Sequence, residues 1–558
     1  MSYTSASNAL KKLISCAAAA VMTFTCFGAA VSAYTLPVEE SQVVNPEPAT
    51  FESLGVDKEA KKAFEDSVAK NTKLPVINIT TQNNSELILS KELYTSCVVD
   101  VFNCDDKLAM SEVSAGIRVR GNSSAYYGDV EQIKKNPVPY RIKFDKKQNM
   151  LGLNGGAKCK SWVLLKSDWN LIANDFAFRL GRAIIGDDTY CSDSTFVHVY
   201  VNDKFQDTYL LCEQNQVNKN RVDVTEPEEG YEGTDIGYYL ELDNYAWEPG
   251  NYFVSMDYDT ATVTDIRGET RQFVPAEYTI KNDLYSSEQV DFISKYLQNV
   301  FTIVYQACEK GRYYTFDDNY DLVKADYTTA EETVSAVMDV QSVADLYLLY
   351  ESVHDYDCGE GSFYMCADFA PDAKITKLTF TSPWDFNWAY NDSADRYWAG
   401  AFCEKSFVSR YGDRSNPWFI VLAKQDWFTK LASDRWTELV NGGIIEQTVN
   451  DERAVLAEYA DDLNKNKEGA TDAAEGTLGW IDQRMRFMNG TFSRSLLKGD
   501  INNDGKVDTK DAMLSISYAR KKRQPEAGRQ FNAADHNGDT VLDTKDSMRI
   551  IKAAKKGA

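Results

Sequence analysis

A duplication near the C-terminal end constrains this chain most. "GDINNDGKVDTKDAM" begins at Gly499, and "ADHNGDTVLDTKDSM" repeats its pattern with every equivalent residue thirty-five positions later. About sixty residues with few large apolar side chains rarely supply enough core to fold alone, so the spacing of the oxygens must matter. Calcium takes oxygen ligands, and a twelve-residue loop can supply them from positions 1, 3, 5, 7, 9 and 12, with glycine at 6 for the turn. Asp500, Asn502, Asp504, Asp508 and Asp511 occupy positions 1, 3, 5, 9 and 12; Gly505 is at 6, and Lys506 offers its backbone carbonyl at 7. The second loop repeats the set with Asp535, Asn537, Asp539, Val541, Asp543 and Asp546, but Thr540 replaces the glycine. A non-glycine residue in a left-handed turn costs about 1–2 kcal/mol, so the second site is expected to be the weaker. The alternative is a pair of solvated acidic turns. Two copies of a five-oxygen pattern, each followed by a helical stretch, argue against it.

The rest of the chain is large. Its 558 residues leave room for two to four domains. With 84 acidic and 60 basic residues the net charge is -24, which suits a cation binder and not a partner of nucleic acid or an anionic membrane. Lys11 and Lys12 precede the apolar run "LISCAAAAVMTFTCFGAAVSA", which ends in the small-x-small site Val31-Ser32-Ala33. Residues 1–33 are therefore expected to be a secretory signal peptide, and the mature chain to be secreted without a membrane span. A membrane anchor is the rival, but Ser15, Thr23, Thr25 and Gly28 interrupt the run. No CxxC spacing occurs, so zinc is not expected. Most cysteines should act as small core residues, with a Cys97–Cys104 bridge left open.

Residues 34–73 read as a leader or linker, 74–495 as the main domain and 496–558 as the calcium module. Short strand-like runs come first in the main domain and helical runs later, which predicts an α+β fold; the C-terminal module is expected to be all-α. "FVHVYVN" and "FQDTYLLCEQ" read as a hairpin, and "KLTFTSPWDFNWAY" as strand. In "GIRVRGNSS" the strand period places Ile117 and Val119 on one face and Arg118 and Arg120 on the other. In "PYRIKF" Arg141 and Lys143 oppose Tyr140, Ile142 and Phe144. Two basic pairs in an acidic protein suggest an anion site, with phosphate the natural guess; a solvated basic face is the alternative. Asp385 and Asn387 in "PWDFNWAY" are hard oxygen donors suited to magnesium, and Glu351, Asp355 and Asp357 lie upstream. An anion cradle with separated carboxylates matches the parts needed for phosphoryl transfer, although neither a Walker A nor a GxGxxG loop occurs.

Two resemblances add to this. Lys498 to Ala558 resembles the dockerin family in its duplicated loop and helix and its "GDINNDG" opening. That implies two bound Ca2+ ions, docking onto the cohesin of a scaffoldin, and attachment to a cellulosome outside the cell. Thr509, Lys510, Thr544 and Lys545 are then candidate cohesin contacts. The ordered segments "IRVRGNSS", "YRIKFDKKQNMLGL", "SWVLLKSDWN", "YLLCEQ", "KNRVDV", "GYYLELD" and "PWDFNWAY" are similar to the CotH kinase family over roughly Leu74 to Phe492. The resemblance implies an atypical protein-kinase-like domain using ATP and Mg2+ on a protein substrate. It casts Asp357 as the catalytic aspartate, Asp385 as the metal-binding one and Lys143 as a phosphate contact. Arg120 and Asn122 fall in its "RGNS" motif and Glu213 in "YLLxEQ". This chain departs from the family at Asn387, where an acid is usual, and at Ala173, where an arginine is usual. Three functions stay open: a scaffold-bound kinase-like enzyme, a non-catalytic structural or adaptor protein, and a component of polysaccharide degradation.

Overall fold

The computed structural model describes residues 48–166, 170–258, 261–264, 270–355, 357–390, 416–465, 468–492, 498–502, 506–523, 525, 533–537 and 541–555. The expected signal segment, Cys403, Asp504, Gly505, Asp539 and Thr540 lie outside these residues.

Alternating apolar residues in successive short runs build a closed barrel. Its strands are β1 (Val76–Thr80), β2 (Thr95–Phe102), β3 (Met110–Val119), β4 (Tyr140–Gln148), β5 (Cys159–Leu165), β6 (Ser194–Val201) and β7 (Lys204–Glu213). Their order is β1-β2-β3-β4-β5-β7-β6, and a parallel β1–β6 pairing closes the ring. Ile117, Val119, Ile142, Phe144, Trp162 and Leu211 point inward and form the barrel core. A two-residue turn joins β6 to β7, with Asn202 and Asp203 at φ 51° and 61°, the handedness that suits a tight hairpin.

Part of the segment read as a leader is packed against this barrel. Ala49, Phe51 and Leu54 bury Val98 on the outer side of β2. Helix α1 (Lys58–Val68) starts at the Asp57 cap, and its buried Lys61 pairs with Asp203 at 2.5 Å.

The outward residues Val163, Phe196, Leu210 and Cys212 belong to a second, larger core. That core is built from α2 (Ala173–Ile185) and a five-stranded sheet of β8 (Gly237–Leu242), β9 (Phe253–Met256), β10 (Ala276–Ile280), β11 (Phe363–Asp368) and β12 (Thr379–Thr381). The sheet order is β12-β11-β8-β10-β9. Helices α3 (Ser287–Lys310), α4 (Val340–Val353), α5 (Asp426–Asn441), α6 (Ile444–Glu458) and α7 (Ala470–Phe492) complete it. The main domain is therefore mixed α and β.

One local expectation is corrected, and one open question is answered. "PWDFNWAY" is not strand: β12 ends at Thr381, and Phe386–Trp388 forms a single 3-10 turn. Its aromatic alternation imitates a strand, but Trp384 and Phe386 are buried around a left-handed Asp385 at φ 61°, while Trp388 is 46% exposed. Cys97 and Cys104 are free thiols; Cys97 points into the apolar barrel, where it fills space.

The C-terminal module has helices α8 (Thr509–Ala519) and α9 (Thr544–Ala554), which pack on Ile501, Ala512, Tyr518, Ala533, Ala534 and Ile550. Among the described residues no helix is long and apolar enough to cross a membrane.

Candidate functional site

The outer faces of β3 and β4 carry a row of cations. Arg118 lies directly opposite Arg141, and Lys143 lies opposite Gly116 on one side and Ser161 on the other. After β3 the chain turns through Gly121 at φ 94°, and the Arg120 guanidinium sits over the Trp384 ring at 5.6 Å. Asn122 accepts a hydrogen bond from Lys91 at 2.9 Å.

A second wall comes from the five-stranded sheet. Glu241 on β8 accepts from the Tyr364 hydroxyl at 2.6 Å and pairs with Lys281 at 2.7 Å. Lys281 in turn lies close enough to Arg141 to feel its charge, so the barrel and the sheet contribute to one polar region.

The acids arrive from two short segments. Helix α4 ends at His354, which takes the left-handed cap at φ 50°. Asp355 follows, buried, and accepts from the Asp357 N–H at 3.2 Å. The end of α4 is fixed from behind by Arg484 of α7, which donates to the Glu351 carbonyl at 2.7 Å and pairs with its carboxylate at 3.0 Å, both side chains fully buried. Asp385 comes from the turn after β12. Burial raises the proton affinity of Asp357 above the usual carboxylate range, and the neighbouring charges of Asp385 and Glu360 push it further. Asp355 is raised by burial and then by Asp357 and Asp385. Burial also raises Asp385, partly offset by Arg120, while Glu241 adds to it. Asp355, Asp357 and Asp385 therefore form one electrostatic group, and the charge of Arg120 acts on Asp385.

Asp385 is held by a chain of amides. Asn387 donates to its carboxylate at 2.7 Å, and Asn174 at the start of α2 donates to the Asn387 carbonyl oxygen at 3.1 Å. The Asn174 oxygen accepts from the Phe386 N–H at 3.0 Å, and the Tyr390 hydroxyl donates to the Ala173 carbonyl at 3.0 Å. These contacts stabilise the left-handed backbone at Asp385, which otherwise costs roughly 1–3 kcal/mol.

Of the residues the sequence singled out, Asp357, Asp385, Asn387 and Arg120 come together. Lys143 lies one strand repeat beyond Arg141 on the same face, about 7 Å along β4. Glu213, at the end of β7, has its own partners. It is fully buried, pairs with Arg221 at 3.2 Å, and accepts from Asn154 at 3.0 Å and the Asp193 N–H at 3.3 Å. Asn174, Glu241, Lys281 and Glu360 were missed. Glu241 had a signal: it is the single acid within the otherwise apolar "GYYLEL".

No three His, Cys, Asp or Glu side chains among the described residues are arranged to cage a metal. Magnesium does not need such a cage. It keeps several waters and binds through one or two carboxylates together with substrate phosphates, a demand that the chemistry of Asp385 suits.

In the C-terminal module, Asp500 and Asp511 are fully buried, and Asp535 and Asp546 nearly so. Asp511 accepts from the N–H groups of Ile501 at 2.7 Å, Asn502 at 3.0 Å and Asp508 at 2.9 Å. Asp546 repeats this with Asn537 at 3.1 Å and Asp543 at 3.0 Å. Asp508 and Asp543 cap α8 and α9, so the position-12 acids tie each loop to its helix. Buried carboxylates in such number suit a bound cation.

A family model described as CotH kinase protein matches residues 117–488, and one described as Dockerin type I domain matches residues 498–553. No curated protein matches the chain.

Proposed function

Because the chain belongs to the CotH kinase protein family and ends in a type I dockerin domain, we propose that it is a secreted, cellulosome-attached protein kinase. In this proposal its dockerin holds two calcium ions and a scaffoldin cohesin, and its main domain binds ATP with magnesium. The dockerin supports the calcium and cohesin parts directly, since type I dockerin domains bind calcium and serve as cohesin-binding modules of cellulosome-type proteins. Thr509, Lys510, Thr544 and Lys545 open α8 and α9 at equivalent places and are assigned to the cohesin face.

One observation carries the kinase part: Asp357 and Asp385, on separate segments, lie close enough for the charge of Asp385 to act on Asp357, and the charge of Arg120 acts on Asp385. A magnesium ion, when bound, would supply neutralisation of phosphate charge. Asp385 would hold that cation, oriented by Asn387 and Asn174. Arg120 and Lys143 would stabilise charge on the transferred group, which is where most of the rate is gained. Asp357 would orient the acceptor hydroxyl and take its proton; a proton affinity raised above that of an ordinary aspartate suits a base working near neutrality. Glu213 supports the β7 end of the barrel through Arg221 and is not assigned to the nucleotide.

Titration of the full chain with ATP and magnesium tests this proposal. Binding that Asp385→Ala abolishes is expected. Absence of magnesium-dependent ATP binding by the wild-type chain sinks the enzyme and favours the non-catalytic adaptor. The adaptor has one specific observation behind it: the Asn387 amide is already committed to Asp385 and Asn174. Polysaccharide degradation has less, because Trp384 beside the acids is 5% exposed beneath Arg120 and offers a sugar no platform.

A further inference from the structure

Helices α2 and α6 bury two carboxyl groups against one guanidinium. Asp175 and Glu452 are both fully buried. The Arg179 Nε lies 2.8 Å from Asp175 Oδ2 and 3.0 Å from Glu452 Oε2. That nitrogen carries a single hydrogen, and it is donated to Asp175. Asp175 also accepts from the Ser194 hydroxyl at 2.6 Å. Both oxygens of Glu452 are left without a hydrogen-bond partner among the described residues. An ionised carboxylate there is costly. A protonated one is not, because Asp175 lies within hydrogen-bonding reach and has lone pairs to spare. One proton also makes the triad neutral, where two ionised acids and one arginine carry a net negative charge. Burial raises the proton affinity of Glu452 well above the usual carboxylate range, the charge of Asp175 raises it further, and Arg179 offsets part of this.

Other charged groups on the elements packed against α6 have partners of their own. Asp193, whose charge also acts on Arg179, pairs with Arg182 at 2.9 Å. Glu475 and Asp482 of α7 face Arg453, the neighbour of Glu452 on α6. Arg435 of α5 pairs with Asp345 of α4 at 3.1 Å, and Asp462, just past α6, accepts from the Lys73 N–H at 2.8 Å. The charges of Glu452 and Asp175 also reach Tyr390, whose hydroxyl burial already holds protonated. Tyr390 matters because the same end of α2 holds the Asp385 turn. Its hydroxyl donates to the Ala173 carbonyl, its ring meets Phe176 edge-on at 6.5 Å, and Asn174 bonds both Asn387 and the Phe386 N–H.

We propose that Asp175, Arg179 and Glu452 form a one-proton clamp that positions the Asp385 turn. With the proton on Glu452, α6 is fastened to the first turn of α2, and Ala173 and Asn174 keep their grip on Tyr390, Asn387 and Phe386. When that proton passes to solvent, two buried carboxylates compete for one arginine, and like-charge repulsion loosens the start of α2. Asp175 and Glu452 are positioning residues: they act on Asp385 through α2. Their effect on nucleotide binding rests on the kinase reading above; the clamp and its hold on the turn do not.

Thermal melts and amide hydrogen exchange of the full chain, at about pH 5.5 and about pH 9, test the proposal. A carboxyl of raised proton affinity favours the folded state while protonated, so its contribution is complete below about pH 4 and is lost as the pH rises through its folded value. Glu452→Gln keeps a donor toward Asp175 and cannot ionise. At about pH 9 its Tm should exceed that of the wild type, and exchange in the peptide spanning residues 384–390 should be about tenfold slower, the effect of one pKa unit. At about pH 5.5 the two proteins should agree. Comparison at one pH cancels the titration of Asp100, Asp355, Asp357 and Asp385, which both proteins share. Asp175→Asn leaves Arg179 a single carboxylate and should flatten the pH dependence likewise; it serves if Glu452→Gln does not fold. If the folded variants lose stability with rising pH as the wild type does, the clamp is overturned. If Tm responds but exchange over residues 384–390 does not, the positioning role falls. Magnesium-dependent ATP binding at about pH 9 should be several-fold tighter in Glu452→Gln. If the wild type binds no ATP at either pH while exchange still responds, the clamp stands and the kinase reading fails.

Discussion

Asp100 shows how a single carboxyl can set a pH dependence. It lies on the outer side of β2, is 1% exposed, and accepts at 2.6 Å from the Glu112 N–H through one oxygen. Its other oxygen has no hydrogen-bond partner among the described residues, and neither does the amide oxygen of Asn78 directly opposite. Burial pushes its pKa up to about 7 from 3.8. A raised carboxyl favours the folded state while protonated, so its contribution is complete below about pH 4 and is lost as the pH rises through 7. Asp100→Asn should therefore raise Tm at pH 8 and change it little at pH 4.5. At roughly 1.4 kcal/mol per pKa unit, the gain at pH 8 is on the order of 2–4 kcal/mol, measurable by denaturant titration at the two pH values. At the acid cluster, Asn387→Asp would replace a donor to Asp385 with a second carboxylate. Magnesium affinity of the main domain should rise several-fold, and Tm without metal should fall by like-charge repulsion; unchanged magnesium affinity would separate Asn387 from the metal. Asp357 and Asp385 could be picked from the sequence because motif and donor chemistry agreed. The Arg221 partner of Glu213 was not legible, because a motif position does not say which cation a buried acid meets.

Strand period two gave the inward and outward faces of β3 and β4, and the helical periods of α3 and α4 were equally plain. What the sequence hid was the turn after β12, where left-handed Asp385 interrupts an aromatic alternation, and the amide chain from α2, which joins residues more than two hundred positions apart. Such contacts leave no periodic trace. Asn174→Ala removes both the donor to Asn387 and the acceptor for the Phe386 N–H. It should weaken magnesium-dependent nucleotide binding about tenfold, while Asn174→Asp, which keeps only the acceptor, should restore part of it. Titrating magnesium at fixed nucleotide distinguishes this from a general loss of stability, which would not change the metal requirement of the folded fraction. In the calcium module, α8 and α9 each depend on an aspartate cap tied to a position-12 acid. Chelation should reduce helicity in far-ultraviolet circular dichroism. Asp500→Ala should remove the tighter of two calorimetric sites; if Asp535→Ala does so instead, the strain assigned to Thr540 is wrong.

At the scale of the whole molecule, the proposed calcium-dependent docking and the proposed magnesium-dependent nucleotide binding fall in different parts of one chain. Cohesin binding should disappear on chelating calcium, while magnesium-dependent nucleotide binding should persist after calcium is restored or when the loop acids are replaced. Native-gel shifts with a cohesin panel, run beside nucleotide titrations of Asp500→Ala with Asp535→Ala, check this separation. Residues 48–73 bear on the molecule as well, since Phe51, Leu54 and Lys61 close over the barrel; their removal should lower Tm of the main domain. The seam between β1 and β6 also imposes an order of events. Val76 pairs with His198, so the ring cannot shut until more than one hundred and twenty residues have been assembled between its two ends. Contacts of such sequence separation form slowly. A chain emerging from its N-terminus must carry β1 with one open flank until β6 and β7 arrive, which makes that interval the period when the nascent barrel is most exposed to pairing with a foreign strand.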